Sequence, residues 1–123
     1  MNNNNEIEYK IIDSAVLIDR MTEIESELQN KCYINALEYK ELKELETNCK
    51  KISTEAASNF YYGTELIRKD YFNEYQYNKI ISSLELPDDT IPDFMKIDIN
   101  YDLLLAEFES VFFHGQEYLI RSY

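Results

Sequence analysis

The sequence predicts a helix-rich α+β fold, with about four helices, a C-terminal β-hairpin and room for a short N-terminal strand. Three observations carry this. Apolar residues recur at helical 3–4 spacing through long stretches of the chain. Near the C-terminus, the β-rich runs Ser110-Val111-Phe112-Phe113 and Glu117-Tyr118-Leu119-Ile120 flank His114-Gly115, a tight-turn pair. With 123 residues, 45% of them apolar, the chain can bury one real core. We assign residues 1–123 to a single domain, with Met1–Asn5 as a disordered leader.

Residues 6–12 mix alternation with β-branched residues and fit either a short strand or the lead-in to a helix. Ser14 is a candidate N-cap. Leu17, Met21, Ile24 and Leu28 then share one helical face, which predicts a helix over 14–29 ended by Asn30-Lys31. Leu42, Leu45, Cys49, Ile52 and Ala56 follow 3-4-3-4 spacing, which predicts a second helix over 34–60. The short connection makes these two helices an αα-hairpin.

Gly63 is a stop or hinge, and Thr64 is a cap candidate for a third helix over 65–84. Pro87 and Pro92 interrupt the helical pattern, so an ordered loop should follow, pinned by Ile91, Phe94 and Ile97. Asp98 or Asn100 would cap a fourth helix, with Tyr101, Leu104, Leu105 and Phe108 facing inward. A lone two-stranded hairpin is marginal in water. The C-terminal hairpin must therefore pack on the helices or pair with residues 6–12.

Acidic residues outnumber basic ones 24 to 12, for a net charge of −12. Direct nucleic-acid binding needs Lys and Arg to replace phosphate counterions, so this balance excludes it. It also argues against anionic membranes. No apolar run reaches the length of a transmembrane helix, and the N-terminus lacks the regions of a signal peptide. Cys32 and Cys49 fit no metal or redox spacing and read as reduced thiols, with Cys49 in the core. The expected compartment is the cytoplasm, that of the host cell if the chain is viral.

The charge is unevenly placed. Residues 80–120 carry Glu85, Asp88, Asp89, Asp93, Asp98, Asp102, Glu107, Glu109 and Glu117 against a single base, Lys96. Two-thirds of the excess negative charge thus lies in one third of the chain, whereas the earlier helices interleave both signs. We take Glu85, Asp88, Asp89, Asp93, Asp98, Asp102, Glu107 and Glu109 as a candidate acidic face for a basic protein partner. Carboxylates so spaced can imitate a phosphate row for Arg and Lys. Tyr71, Tyr75, Tyr77 and Tyr101 are candidate interface anchors. An ordinary acidic surface that serves solubility is the competing reading.

Catalytic signals are few. There is no glycine-rich phosphate loop, GxSxG or HExxH. His114 is the single imidazole and reads as a turn residue. Asp88, Asp89 and Asp93 lack the glycine and ligand spacing of an EF-hand. No enzyme activity, metal or cofactor is expected.

Residues 64–121 resemble a pattern of phage and mobile-element proteins. It comprises Glu65-Leu66-Ile67-Arg68-Lys69-Asp70-Tyr71-Phe72-Asn73-Glu74-Tyr75 as a helix, then Leu86-Pro87-Asp88-Asp89 and Ile91-Pro92-Asp93-Phe94 as a loop. Ile97-Asp98-Ile99-Asn100-Tyr101 and the hairpin Val111-Phe112-Phe113-His114-Gly115-Gln116-Glu117-Tyr118-Leu119-Ile120-Arg121 complete it. This is similar to the tail of small acidic antirestriction proteins of the ArdA type, and anti-CRISPR proteins are similar in size and acidity. The resemblance covers about half the chain. His114 stands where the pattern more usually has an acid, and residues 1–63 match no family we can name. What the resemblance implies is a virus- or plasmid-encoded antagonist of a host nuclease system. Its partner would be a CRISPR effector or restriction enzyme. Alternatives are a toxin-neutralising immunity protein, or a small accessory protein, with a homodimer as one form.

Overall fold

The computed structural model describes residues 10–85 and 98–122. The fold is α+β. Among the described residues the elements run β1 (Ile11–Asp13), α1 (Ser14–Gln29), α2 (Ala36–Ile52), α3 (Thr54–Tyr62) and β2 (Glu65–Arg68). A 3-10 turn, Lys69–Tyr71, leads into α4 (Phe72–Ser83); α5 (Tyr101–Leu105), β3 (Phe108–Phe113) and β4 (Gln116–Arg121) follow. The asparagine leader, residues 6–9 and the loop bearing Ile91, Phe94 and Ile97 lie outside the described residues.

The four strands form an antiparallel sheet in the order β1-β2-β4-β3. Helices cover both faces. On one face Leu66, Val111, Tyr118 and Ile120 pack with Leu45 and Cys49 of α2 and Phe60 of α3. Met21 and Ile24 of α1 join Leu42 in an adjoining cluster. On the other face Ile67 and Leu119 pack with Phe72 of α4, and Leu104 of α5 and Phe108 close over them. Strand alternation explains the split: Leu66 and Ile67 are neighbours in β2 yet point to opposite layers. A central strand covered on both sides carries apolar residues in succession.

Helix α1 spans its expected residues, but Asp13 is its N-cap, accepting the Ala15 N–H at 2.9 Å. Ser14 is buried instead. Its N–H donates to the Thr64 carbonyl at 2.9 Å, and its Oγ accepts the Thr64 N–H at 2.7 Å. This reciprocal pair satisfies buried polar groups and locks the start of α1 to the link before β2. Thr64 therefore caps no helix.

Helix α1 ends at Asn30 in a Schellman arrangement: Cys32 N–H donates to Glu27 O at 2.8 Å and Lys31 N–H to Leu28 O at 3.0 Å. Lys31 holds φ at 62°, a left-handed conformation that costs a residue with a Cβ about 1 kcal/mol. Lys31→Gly should therefore stabilise the fold by about 0.5–1 kcal/mol, measured as a rise in urea midpoint with unchanged slope.

The expected helix 34–60 is two helices. Ser53 is extended, with φ −170° and ψ 164°, and ends α2. Its Oγ then accepts the Ala56 N–H at 2.9 Å to cap α3, and donates to Ser122 O at 2.8 Å. The apolar stripe stays in phase because Ala56 and Phe60 return to the same core. The expected helix 65–84 also begins differently. Glu65–Arg68 is β2, paired with β1 and β4, and the helix starts only at Phe72. The C-terminal hairpin packs on the helices, as one of the two expectations had it, and pairs with β2, whose other side takes Ile11 and Ile12.

Gly63 stops α3 at φ 113°, and a Cβ there would sit 3.3 Å from Ala15 Cβ. The hairpin turn has positive φ at both His114 (52°) and Gly115 (77°), as the type I′ geometry of two-residue hairpins requires. Asn100 is the cap of α5, accepting the Leu103 N–H at 3.1 Å.

Candidate functional site

The proposed acidic residues divide by position. Asp88, Asp89 and Asp93 lie outside the described residues. Glu85, Asp98, Asp102 and Glu109 are all exposed. Among the described residues none of these four carries an ion pair. Glu107 differs: it accepts from Arg121 at 2.7 Å, and that arginine also lies over the Phe108 ring. Its negative charge is therefore largely answered within the chain.

These carboxylates do not lie on one flat face. Glu109 pairs with Ile120, so its side chain is on the α1–α3 side of the sheet. Asp102 belongs to α5, which covers the opposite side. Glu109 and Asp102 thus flank the outer edge of the sheet, one from each layer. Glu85 follows the end of α4 with φ at 54°, another left-handed residue with a Cβ.

The remaining surface pairs charge more fully, with exceptions. Arg20 forks onto Glu38, with Nε to Oε2 and a terminal nitrogen to Oε1 both at 2.9 Å, and also meets Glu23 at 2.6 Å. The arginine hydrogen bonds hold the Glu38 carboxyl below the usual range, with a smaller contribution from His114. Lys43 pairs with Glu46, Arg68 with Asp70, Lys69 with Glu117, and Lys79 with Glu65. Yet Asp19, Glu41, Glu44, Glu55 and Glu74 lack ion pairs among the described residues. Uncompensated acid is therefore spread more widely than the interleaved sequence suggests.

The candidate aromatics differ in exposure. Tyr71 and Tyr75 are half-buried against the Ile67–Phe72–Leu119 cluster, and Tyr101 is half-buried at the start of α5. Tyr75 donates its hydroxyl to Glu65. Burial first, and that carboxylate second, push its phenol up to about 12. Tyr77 is exposed at the margin. Other large apolar groups are more exposed, among them Leu103 of α5 and Val16 of α1. Tyr33, Ile34 and Leu37 project at the α1–α2 tip, Tyr61 and Tyr62 end α3, and Phe112 stands on β3. The tip had a sequence signal: Ile34 and Leu37 fall outside the Leu42–Leu45–Cys49 stripe.

Cys49 is buried, and burial pushes its thiol up to about 12, so it stays an unreactive core group. Cys32 is exposed and both thiols are free. His114 is exposed and lies edge-on to Phe113 at 4.1 Å between ring centroids. A shallow, open groove on α2 is lined by Lys40, Lys43, Glu44, Thr47, Asn48 and Lys51. Among the described residues no cluster of three or more His, Cys, Asp or Glu is placed to hold a metal ion. Also among them, no helix is long and apolar enough to cross a membrane.

Compared with protein-family models, curated proteins and solved structures, the chain matches none.

Proposed function

We propose that this protein is a binding antagonist encoded by a virus or mobile element. It occupies a basic nucleic-acid-binding surface on a host defence protein, a CRISPR effector or a restriction enzyme. The observation that carries this reading is the set of exposed carboxylates, Glu85, Asp98, Asp102 and Glu109, that no cation of the described chain answers. Unpaired like charge lowers stability through self-repulsion, and an external basic partner offsets that cost. Carboxylates presented to Arg and Lys take the place of phosphate oxygens. The resemblance of residues 64–121 to small antirestriction proteins points the same way.

The test has two stages. Tagged protein is used to recover its partner from the natural host, and the recovered partner is loaded with labelled DNA or RNA. Addition of the protein should displace the nucleic acid. Stable ternary complexes with full nuclease activity would rule the reading out.

A further inference from the structure

The sheet has two edges, and the chain treats them differently. At one edge β1 is three residues long and runs straight into α1. Short edge strands are a common protection against unwanted pairing. At the other edge β3 is six residues, Phe108–Phe113, paired with β4 without a bulge across its whole length. It contains no Pro and no Lys, the usual guards of an open edge.

The direction of the free groups follows from the hairpin. A two-residue turn makes Phe113 and Gln116 a hydrogen-bonded pair, so Val111 and Glu109 also point their main-chain groups at β4. The bond from Ser122 N–H to Glu107 O at 2.8 Å continues that parity. The N–H and C=O groups of Phe108, Ser110 and Phe112 therefore point away from the sheet. Among the described residues no main-chain group pairs with them. Beside them the Phe112 side chain is 61% exposed.

The charge around this edge is one-sided. Glu109 flanks it on the α2 side, and α5, which carries Asp102, contacts β3 on the other. The cations nearest in the fold are committed: Arg121 to Glu107 and Lys69 to Glu117. We propose that β3 is a strand-addition edge that takes an extended basic segment of the partner protein. This rests on the function proposed above and names the mode of contact. The incoming strand alternates, with Lys or Arg toward Glu109 and β-branched apolar residues toward Phe112. Main-chain bonds to Ser110 and Phe112 supply affinity, and the alternation supplies selectivity. A second copy of this chain would bring another −12 to the same edge, which disfavours it.

The test uses the full-length protein and a capped synthetic peptide of alternating Arg and Val. Amide exchange at Ser110 and Phe112 should slow by at least about tenfold on saturation, while Val111, already bonded to β4, changes little. An alternating Glu–Val peptide should not protect them. Ser110→Pro removes an outward N–H, which an edge strand tolerates, and also the hydroxyl that donates to Glu117; Ser110→Ala, which removes the hydroxyl alone, is its reference. Relative to Ser110→Ala, Ser110→Pro should weaken the peptide by at least about tenfold with little change in the melting curve. If that variant misfolds, a peptide N-methylated at alternate residues gives the same reading on the unaltered protein. Failure of the Arg–Val peptide to bind at ~1 mM would overturn the proposal, since that marks the weak limit of specific recognition. So would binding that leaves both amides unprotected, or a dimer in which they are protected without peptide. A folded Ser110→Pro variant that still displaces nucleic acid from the partner would sink strand addition while the antagonist reading stands.

Discussion

Phe60→Ala should cost about 3–5 kcal/mol of folding stability, a large share of the roughly 5–15 kcal/mol typical of a domain. Phe60 is 1% exposed. It enters the cluster of Leu45, Cys49, Leu66, Val111, Tyr118 and Ile120, where α2, α3 and three strands of the sheet meet. Removing the ring loses its burial and leaves a cavity whose walls are held by other elements, so little collapse can compensate. The neighbouring ring supplies the control. Tyr62 is 79% exposed, and Tyr62→Ala should change stability by less than about 0.5 kcal/mol. Urea unfolding of both variants, followed by far-UV circular dichroism, makes the comparison. Equal losses would contradict the assignment of α3 to the core.

The second large effect concerns binding. Combining Glu85→Lys, Asp98→Lys, Asp102→Lys and Glu109→Lys should weaken partner binding by about 100-fold or more, about 3 kcal/mol. Each reversal replaces an attraction with a repulsion at the same place. Folding should be preserved, because these exposed groups hold no internal ion pair that reversal would break, and lower net charge relieves self-repulsion. Asp19→Lys with Glu55→Lys adds positive charge on α1 and α3 instead. That pair should weaken binding by less than about threefold, since it leaves the four contact carboxylates in place and exposed charge is screened by salt. Similar losses from both sets would mean that total charge, and not its location, drives association.

Much of the fold was legible where a long pattern and a local signal agreed. Helix α1 combined the Leu17–Met21–Ile24–Leu28 face with a polar stop at Asn30, and its span was as expected. The hairpin was legible because Gly115 tolerates positive φ between two β-rich runs. What failed was shorter than the period used to read it. Ser53 breaks a helix without breaking the apolar stripe, since α3 packs back on the same core. Its signal was local: a cap residue with Glu55 in the following first turn. Strand β2 shows two adjacent apolar residues between polar ends, too short to display alternation. Only its place between β1 and β4 explains why both are buried.

The candidate site was legible as composition and less so as geometry. Sequence placed the carboxylates in one stretch of chain. It could not show that strand alternation puts Glu109 on the opposite layer from Asp102, or that Arg121 takes up Glu107. Those two facts turn a supposed acidic face into acids on either side of the sheet's open edge. The aromatics divide by burial for a related reason. Tyr71 and Tyr75 belong to the stripe that seats α4, so helical spacing marked them as packing residues as much as anchors.

As proposed above, this protein works by electrostatic occupation of a basic protein surface. The most direct measurement is the dissociation constant of the wild-type protein with its recovered partner across a salt titration. Binding should weaken by about tenfold or more between ~50 and ~200 mM salt, chiefly through a slower association rate, as exposed charge pairs are screened. An affinity that stays constant over that range would rule out electrostatic occupation.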